Sequence, residues 1–327
     1  MLLIIKGIKM NVLSLFDGMS CGQIALNQLG IKIDHYFAAE IDKYAIQVAK
    51  NNFPDTIHLG DVTKIKGDDL PKIDLLIGGS PCQGFSFAGK QLNFDDPRSK
   101  LFFEFVRLLK ETKPKYFLLE NVRMKKEYQD IITEHLGVEP IMINSSLVSA
   151  QNRVRLYWTN IPNIKQPDDR GIVIKDILEN GVVDRDKSHC LDANYYKGGN
   201  LKSYFEKHRR QLVFSKEEPK VLVIAEATKK GYTEIKEGGC FDLTFPTSKT
   251  RRGRNMENKS NCLTATNYEY MRFEYPTYRK LTPVECERLQ TVPDGYTIGV
   301  SNTQRYKMLG NGWTVEVIKH IFKNMEN

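Results

Sequence analysis

A chain of 327 residues is long enough to bury a full core and to carry a second, smaller unit beside it. With 41% hydrophobic and 27% charged residues, it has neither the composition of a disordered chain nor that of collagen or a coiled coil. Its formal charge of +8 favours a polyanionic partner without requiring one, because clustered Lys and Arg release condensed counterions where they meet phosphates.

The apolar start Met1-Leu2-Leu3-Ile4-Ile5 is interrupted by Lys6 and Lys9, and is too short for an export signal or a membrane span. A cytoplasmic protein is expected, with residues 1–9 read as an extension ahead of a natural start at Met10. From there short β-branched runs alternate with amphipathic stretches, the pattern of a parallel sheet covered by helices. Strands are predicted at 12–16, 36–40, 56–59, 73–77 and 116–119, and helices at 23–29, 43–51 and 101–109. That is a doubly wound α/β domain. Strand-like 140–143 and 155–158 follow, and the periodicity fades near Pro162 and Pro167. From about 166 to 275 the chain is glycine-rich, aromatic and charged, and reads as loops on a smaller lobe. Two helical signals close it: Thr282-Pro283-Val284-Glu285, a capped start with Pro at the first helical position, and the apolar spacing over 315–322.

Six cysteines, at 21, 82, 190, 240, 262 and 286, form no Cys-x-x-Cys pair, which argues against a zinc site or a disulfide framework. No metal is expected. The turn Phe16-Asp17-Gly18-Met19-Ser20-Cys21-Gly22 lies between the first strand and the first helix, where a doubly wound sheet binds ligands. Its spacing lacks the Gly-x-Gly-x-x-Gly dinucleotide fingerprint, which counts against a nicotinamide enzyme. Glu40 and Asp61 end the second and third strands, where the one can accept from ribose hydroxyls and the other from an adenine amino group. Each acid alone also suits a solvated strand end. Three successive strand ends aimed at one crevice favour an adenosyl ligand.

The sharpest segment is Gly78-Gly79-Ser80-Pro81-Cys82-Gln83-Gly84-Phe85-Ser86 after the fourth strand. Most cysteines are buried and inert, but Cys82 sits in a glycine-rich loop at the ligand edge, with Pro81 stiffening the backbone that presents it. A thiolate added at carbon 6 of cytosine turns the ring into an enamine whose carbon 5 can attack an electrophilic methyl group. Glu120 ends the next strand, where a carboxyl group can hold ring nitrogen 3 and the exocyclic amine. In Gln151-Asn152-Arg153-Val154-Arg155, alternate residues share one face of an extended segment, and an arginine there can hold the cytosine carbonyl oxygen. Two arginines on a strand equally suit a solvated face.

Taken in order, Phe16-Asp17-Gly18, Pro81-Cys82-Gln83, Glu120-Asn121-Val122, Gln151-x-Arg153-x-Arg155, Arg279-Lys280-Leu281-Thr282-Pro283-x-Glu285-Cys286 and Gly310-Asn311-Gly312-Trp313 resemble the motif series of the DNA (cytosine-5) methyltransferase family. The resemblance implies a Rossmann-like S-adenosylmethionine-dependent methyltransferase fold, with a catalytic domain over 1–165 and 303–327 and a loop-rich target-recognition lobe over 166–302. Cys82 would be the nucleophile, Glu120 the group on the cytosine edge and Arg155 the contact to the base oxygen, with Arg153 and Gln151 supporting. S-adenosylmethionine, leaving as S-adenosylhomocysteine, would lie among Phe16, Gly18, Glu40, Asp61, Pro81, Leu101, Asn311 and Trp313. Gln83, Gln151, Arg251, Arg252 and Arg254 would face duplex DNA, and the enzyme would act as a monomer of restriction-modification type on a flipped-out cytosine. Ser20-Cys21 stand where many members carry a further glycine, while Leu101-Phe102-Phe103-Glu104-Phe105 and the Gly-Asn-Gly-Trp ending are similar to the eukaryotic de novo branch. A tRNA-methylating relative carries Cys-Phe-Thr where this chain has Cys240-Phe241-Asp242. A catalytically dead DNA-binding homologue is the other alternative.

Overall fold

The computed structural model describes residues 9–81, 100–215, 221–226, 228–236, 239–242, 250, 255, 270–272 and 278–325. The chain divides into two compact units. The large one comprises Met1–Glu179, Asp184–Gln211 and Lys280–Asn327; the small one comprises Asn180–Val183 and Leu212–Arg279.

The large unit is built on a seven-stranded sheet of order β3-β2-β1-β4-β5-β7-β6. Its strands are β1 (Met10–Leu15), β2 (Ile33–Ala39), β3 (Ile57–His58), β4 (Leu75–Gly78), β5 (Tyr116–Val122), β6 (Ile141–Asn144) and β7 (Val154–Thr159). The first five pair in parallel, and β7 inserts antiparallel between β5 and β6. The strand order reverses between β1 and β4, and a crevice beyond the carboxyl ends of the strands is the ligand position at such a point.

Both faces of the sheet are covered, which is why the central strands are apolar without alternation. On one face Leu13, Leu15, Phe37, Leu76 and Leu119 pack against Phe102 and Phe105 of α3 (Lys100–Thr112) and Ile132 of α4 (Lys126–Leu136). On the other, α1 (Cys21–Gln28) lies so close that a Cβ on Gly22 would stand 2.3 Å from Cδ1 of Ile77. The predicted α/β class and seven strands are all present. Helix α2 (Lys43–Asn52) starts where Asp42 accepts from the Tyr44 amide at 3.0 Å.

After α5 (Leu201–Phe205) come α6 (Pro283–Leu289), α7 (Asn302–Asn311) and α8 (Val315–Phe322). The capped start read at Thr282 is realised, with Thr282 and Glu285 exchanging side-chain to backbone bonds of 3.1 and 2.8 Å. Three helices went unread, the short α5 among them. Helix α4 buries Tyr128, Ile132 and Leu136 at four-residue spacing, and α7 is polar over most of its surface.

The small unit contains short antiparallel pairs where the sequence suggested loops. Strands β9 (Val221–Ala225) and β10 (Tyr232–Lys236) form one pair, and β11 (Cys240–Asp242) and β12 (Tyr270–Arg272) another. A further two-stranded sheet joins β8 (Leu212–Phe214) to β13 (Tyr278–Lys280).

Candidate active site

A hollow of about 420 Å³ opens at the carboxyl edge of the large unit's sheet, around the switch point. That volume is within the roughly 300–1,000 Å³ of small-molecule sites. The turn after β1 forms one wall. There Phe16, Gly18 and Ser20 take left-handed backbone angles, with φ of 57, 58 and 63°. Two of the three are not glycine, so the turn carries strain that its surroundings hold in place.

Glu40, just beyond β2, braces this turn. Its Oε2 accepts from the Gly18 amide at 2.8 Å, and its Oε1 accepts from the amides of Ile41 and Asp42, also at 2.8 Å. A carboxylate offers about four acceptor positions, so capacity for a ligand hydroxyl remains. Asp61 also lines the hollow, with one oxygen accepting from the Thr63 amide at 3.0 Å and the Thr63 hydroxyl at 2.9 Å as the cap of a short 3₁₀ turn. Those backbone and hydroxyl bonds hold its carboxyl below the usual carboxylate range.

Asp17, not singled out from the sequence, has its carboxyl pushed up to about 6, chiefly by burial. It accepts from Tyr36 Oη at 2.8 Å and from the Ser20 hydroxyl. A second unforeseen feature is the ion pair of Lys307 with Asp42, 2.7 Å, between two lining residues 265 positions apart. Its separation in sequence left no local signal.

The other wall belongs to β4, β5 and β7. Antiparallel pairing sets Val122 opposite Arg155 and Glu120 opposite Tyr157, so Glu120 and Arg155 become diagonal neighbours on one face. Arg155 Nε lies 2.9 Å from Glu120 Oε1, and Trp313 Nε1 donates to Glu120 Oε2 at 3.0 Å. The carboxylate is thus gripped at both oxygens while lining the hollow. Gly79 stands behind this grip: a Cβ there would lie 3.0 Å from Trp313 Nε1 and 3.1 Å from Glu120 Oε2.

Arg153 has a different environment. Its guanidinium is buried and donates to the carbonyls of Leu191 (2.9 Å), Gly310 (3.2 Å) and Gly312 (2.8 Å). It reaches the wall of the hollow, but its bonds run into the protein. Gly310 lets its own helix pack against the segment that carries Leu191, since a Cβ there would be 2.2 Å from the Asp192 carbonyl carbon.

Of the residues expected at a cofactor, Phe16, Gly18, Glu40, Asp61, Pro81, Leu101, Asn311 and Trp313 all line this single hollow, together with Glu120, Arg153 and Arg155. Gln151 does not. Expected to face DNA, it is wholly buried, donating to the Leu289 carbonyl at 2.7 Å and Gln290 Oε1 at 2.9 Å and accepting from the Leu191 amide at 3.2 Å. An amide so enclosed acts on its own protein. Cys82, Gln83, Arg251, Arg252 and Arg254 lie outside the described residues. Cys82 follows directly on Pro81, the last described residue before that gap and part of the hollow's wall. Among the described residues, no group of three or more His, Cys, Asp or Glu could hold a metal ion, and no helix is long and apolar enough to cross a membrane.

A parallel-dominated sheet with a carboxylate-lined hollow of small-molecule size at its switch point is the architecture of a doubly wound α/β protein with a ligand site at the strand ends. The model of the C-5 cytosine-specific DNA methylase family matches residues 10–327, and the chain belongs to that family: it is a DNA (cytosine-5) methyltransferase. It is 33% identical to the type II methyltransferase M1.ScrFI of Lactococcus lactis subsp. cremoris, over 98% of this chain and 79% of that protein. Against the type II methyltransferase M.HpaII of Haemophilus parainfluenzae the figures are 30%, 95% and 87%. Among solved structures, the DNMT2 of Spodoptera frugiperda aligns with a TM-score of 0.64 at 19% identity, covering 97% of this chain and 99% of that one. A putative DNA modification methyltransferase encoded within an Escherichia coli prophage aligns at 0.57 and 21%, covering 97% and 98%. At those identities the two structures speak for the fold.

Proposed function

We propose that the chain methylates carbon 5 of a flipped-out cytosine in a specific duplex DNA sequence through a covalent Cys82 adduct, with S-adenosylmethionine as donor. The observation that carries the reading is the convergence on one hollow of Gly18, Glu40, Pro81 and Glu120, delivered by the ends of β1, β2, β4 and β5.

The hollow suits an adenosyl group. Glu40 would take the ribose hydroxyls and Asp61 the adenine edge, with Phe16 and Leu101 as apolar walls. Gly18 would let the ligand approach the backbone, since no atom lies within 4 Å of where its Cβ would be. Asn311 and Trp313 would close the far side. When bound, S-adenosylmethionine supplies the methyl group as an electrophile, and S-adenosylhomocysteine is left.

In this reading the Cys82 thiolate adds to carbon 6 of the extruded base, and the ring electrons shift to carbon 5. Glu120 holds the ring nitrogen 3 edge and stabilises the charge that develops there, while Arg155 takes the carbonyl oxygen. After methylation, loss of the carbon 5 proton restores the double bond and expels the thiolate. Arg153 and Gln151 act at one remove, by fixing the backbone on which these groups stand. Two of the other cysteines are unsuited to the role: burial pushes Cys21 up to about 12 and holds Cys286 well above the usual range. Target recognition falls to the segment 166–302, including Arg251, Arg252 and Arg254, with Gln83 also at the DNA. We further propose a monomeric, cytoplasmic protein that uses no metal.

The test is methyl incorporation from labelled S-adenosylmethionine into duplex DNA and tRNA side by side. A duplex containing 5-fluorocytosine, which cannot lose a proton at carbon 5, should trap a protein–DNA adduct in the native enzyme and none in Cys82→Ala. Robust turnover by that variant would falsify the assigned nucleophile, and transfer to tRNA alone would change the substrate class.

A further inference from the structure

Outside the hollow, the most unusual cluster of charged and aromatic groups is in the large unit between Asp184 and Gln211. Arg185 donates to both carboxylate oxygens of Asp184, at 3.1 and 3.0 Å, and lies over the ring of Tyr204 at 4.8 Å. Tyr204 in turn donates to Asp184 and accepts from Gln211 at 2.8 Å. His189 approaches Arg185 through a ring nitrogen, meets Tyr204 edge-on at 5.7 Å, and lies 6.3 Å from the ring of His208. This is a rigid platform whose hydrogen bonds lock both the guanidinium and the ring beneath it.

On that platform runs Phe205-Glu206-Lys207-His208-Arg209-Arg210. Lys207, His208 and Arg209 are exposed, and Phe205 keeps 46% of its surface in solvent. Among the described residues, neither Lys207 nor Arg209 has a carboxylate within ion-pair distance, whereas Arg210 lies 3.6 Å from Asp192. Left-handed backbone at His208 (φ 48°) and Arg210 (φ 58°), neither of them glycine, marks a strained turn held by its context. Burial, Arg185 and His208 hold the His189 imidazole down to about 4, so it stays neutral in an electropositive setting.

The strip adjoins the wall of the hollow through Cys190, Leu191 and Asp192. Arg153, on that wall, bonds the Leu191 carbonyl and the Cys190 sulfur, and Gly310 packs on the Asp192 backbone. We infer that Lys207, His208 and Arg209 form a phosphate-binding strip that takes the backbone of duplex DNA beside the target nucleotide and adds affinity without reading sequence. The inference rests on the proposed function above, since it requires DNA to approach the hollow. Exposed cations next to an exposed aromatic ring, on a locked base, suit a polyanion whose sugars and phosphates pass along the surface.

The test is binding of the full-length double variant Lys207→Gln/Arg209→Gln to duplexes with and without the target sequence, over a salt series. Each lost phosphate contact lowers the slope of log affinity against log salt by about 0.9, so two lower it by about 1.8. Between 50 and 200 mM salt the native protein should therefore lose about tenfold more affinity than the variant, equally on both duplexes. Binding of S-adenosylmethionine and the melting temperature should be unchanged. A native slope in the variant overturns the strip, as does a loss confined to the target duplex. If the native protein neither binds nor methylates duplex DNA, the functional reading itself fails.

Discussion

Replacing Glu120 by Gln keeps the shape of the side chain and changes its chemistry at both ends. The carboxylate faces two donors, Arg155 Nε at 2.9 Å and Trp313 Nε1 at 3.0 Å. An amide presents one acceptor and one NH₂, so in either orientation one donor meets another. Leaving a buried donor unsatisfied costs about 1–3 kcal/mol, which sets the expected loss of folding stability and appears as a melting point lower by several degrees. The chemical loss is larger, because an amide cannot carry the proton or the charge that a carboxylate manages at the base edge. A missing group of this kind costs about 10²–10⁴-fold in kcat. Single-turnover methyl incorporation at saturating DNA and donor separates this from binding, and the DNA dissociation constant should stay within severalfold. If Glu120→Gln retained kcat within threefold of the native value, Glu120 would be only a partner for Arg155 and Trp313.

Gly310→Ala should destabilise the protein by about 3 kcal/mol or more, because its Cβ would stand 2.2 Å from backbone that has no room to move; an unchanged denaturant midpoint would refute the close approach. Arg153→Lys keeps the charge but cannot reach the Leu191, Gly310 and Gly312 carbonyls together, and should lower both the melting point and donor affinity in calorimetry, while an effect on kcat alone would point to direct contact with the base. Asp17 has its folded pKa raised from 3.8 to about 6, so its favourable contribution is fully present below the unfolded value and is lost as pH rises through about 6. Relative to Asp17→Asn, the native protein should therefore lose stability between pH 4 and 7, read from urea midpoints, and parallel pH profiles would show that burial of this carboxyl has no such effect.

How much of this site could be read from the sequence depends on how its contacts are spaced. Gly18, Glu40 and Asp61 announce themselves because each stands at the end of a strand in a parallel sheet, where order along the chain fixes position at the ligand edge. The partners of Glu120 do not. Arg155 reaches it only because β7 enters antiparallel between β5 and β6, and Trp313 comes from 193 positions away. The extended face shared by Gln151, Arg153 and Arg155 held in part: the strand begins only at Val154, and Gln151 turns into the buried network of Leu289 and Gln290. Helix α7 escaped detection because its buried residues, Tyr306, Met308, Leu309 and Gly310, cluster at one end and give no apolar stripe along its length.

The two arginines of Arg153-Val154-Arg155 show how one short segment serves two purposes. Alternate residues of an extended chain share a side, yet Arg155 ends on the Glu120 carboxylate and Arg153 on three backbone carbonyls. Two of those carbonyls, at Gly310 and Gly312, flank Asn311, and Gly312 directly precedes Trp313, whose indole holds the second oxygen of Glu120. Arg153 therefore fixes the segment that aims Trp313, while Arg155 and Trp313 together fix the carboxylate. Gly79 gives that carboxylate its space, and Gly310 lets its own helix settle on Asp192. The glycines and the buried guanidinium are thus parts of one support whose object is the orientation of Glu120. The Arg153-containing segment and the Gly-Asn-Gly-Trp ending, far apart along the chain, thus act on the same carboxylate.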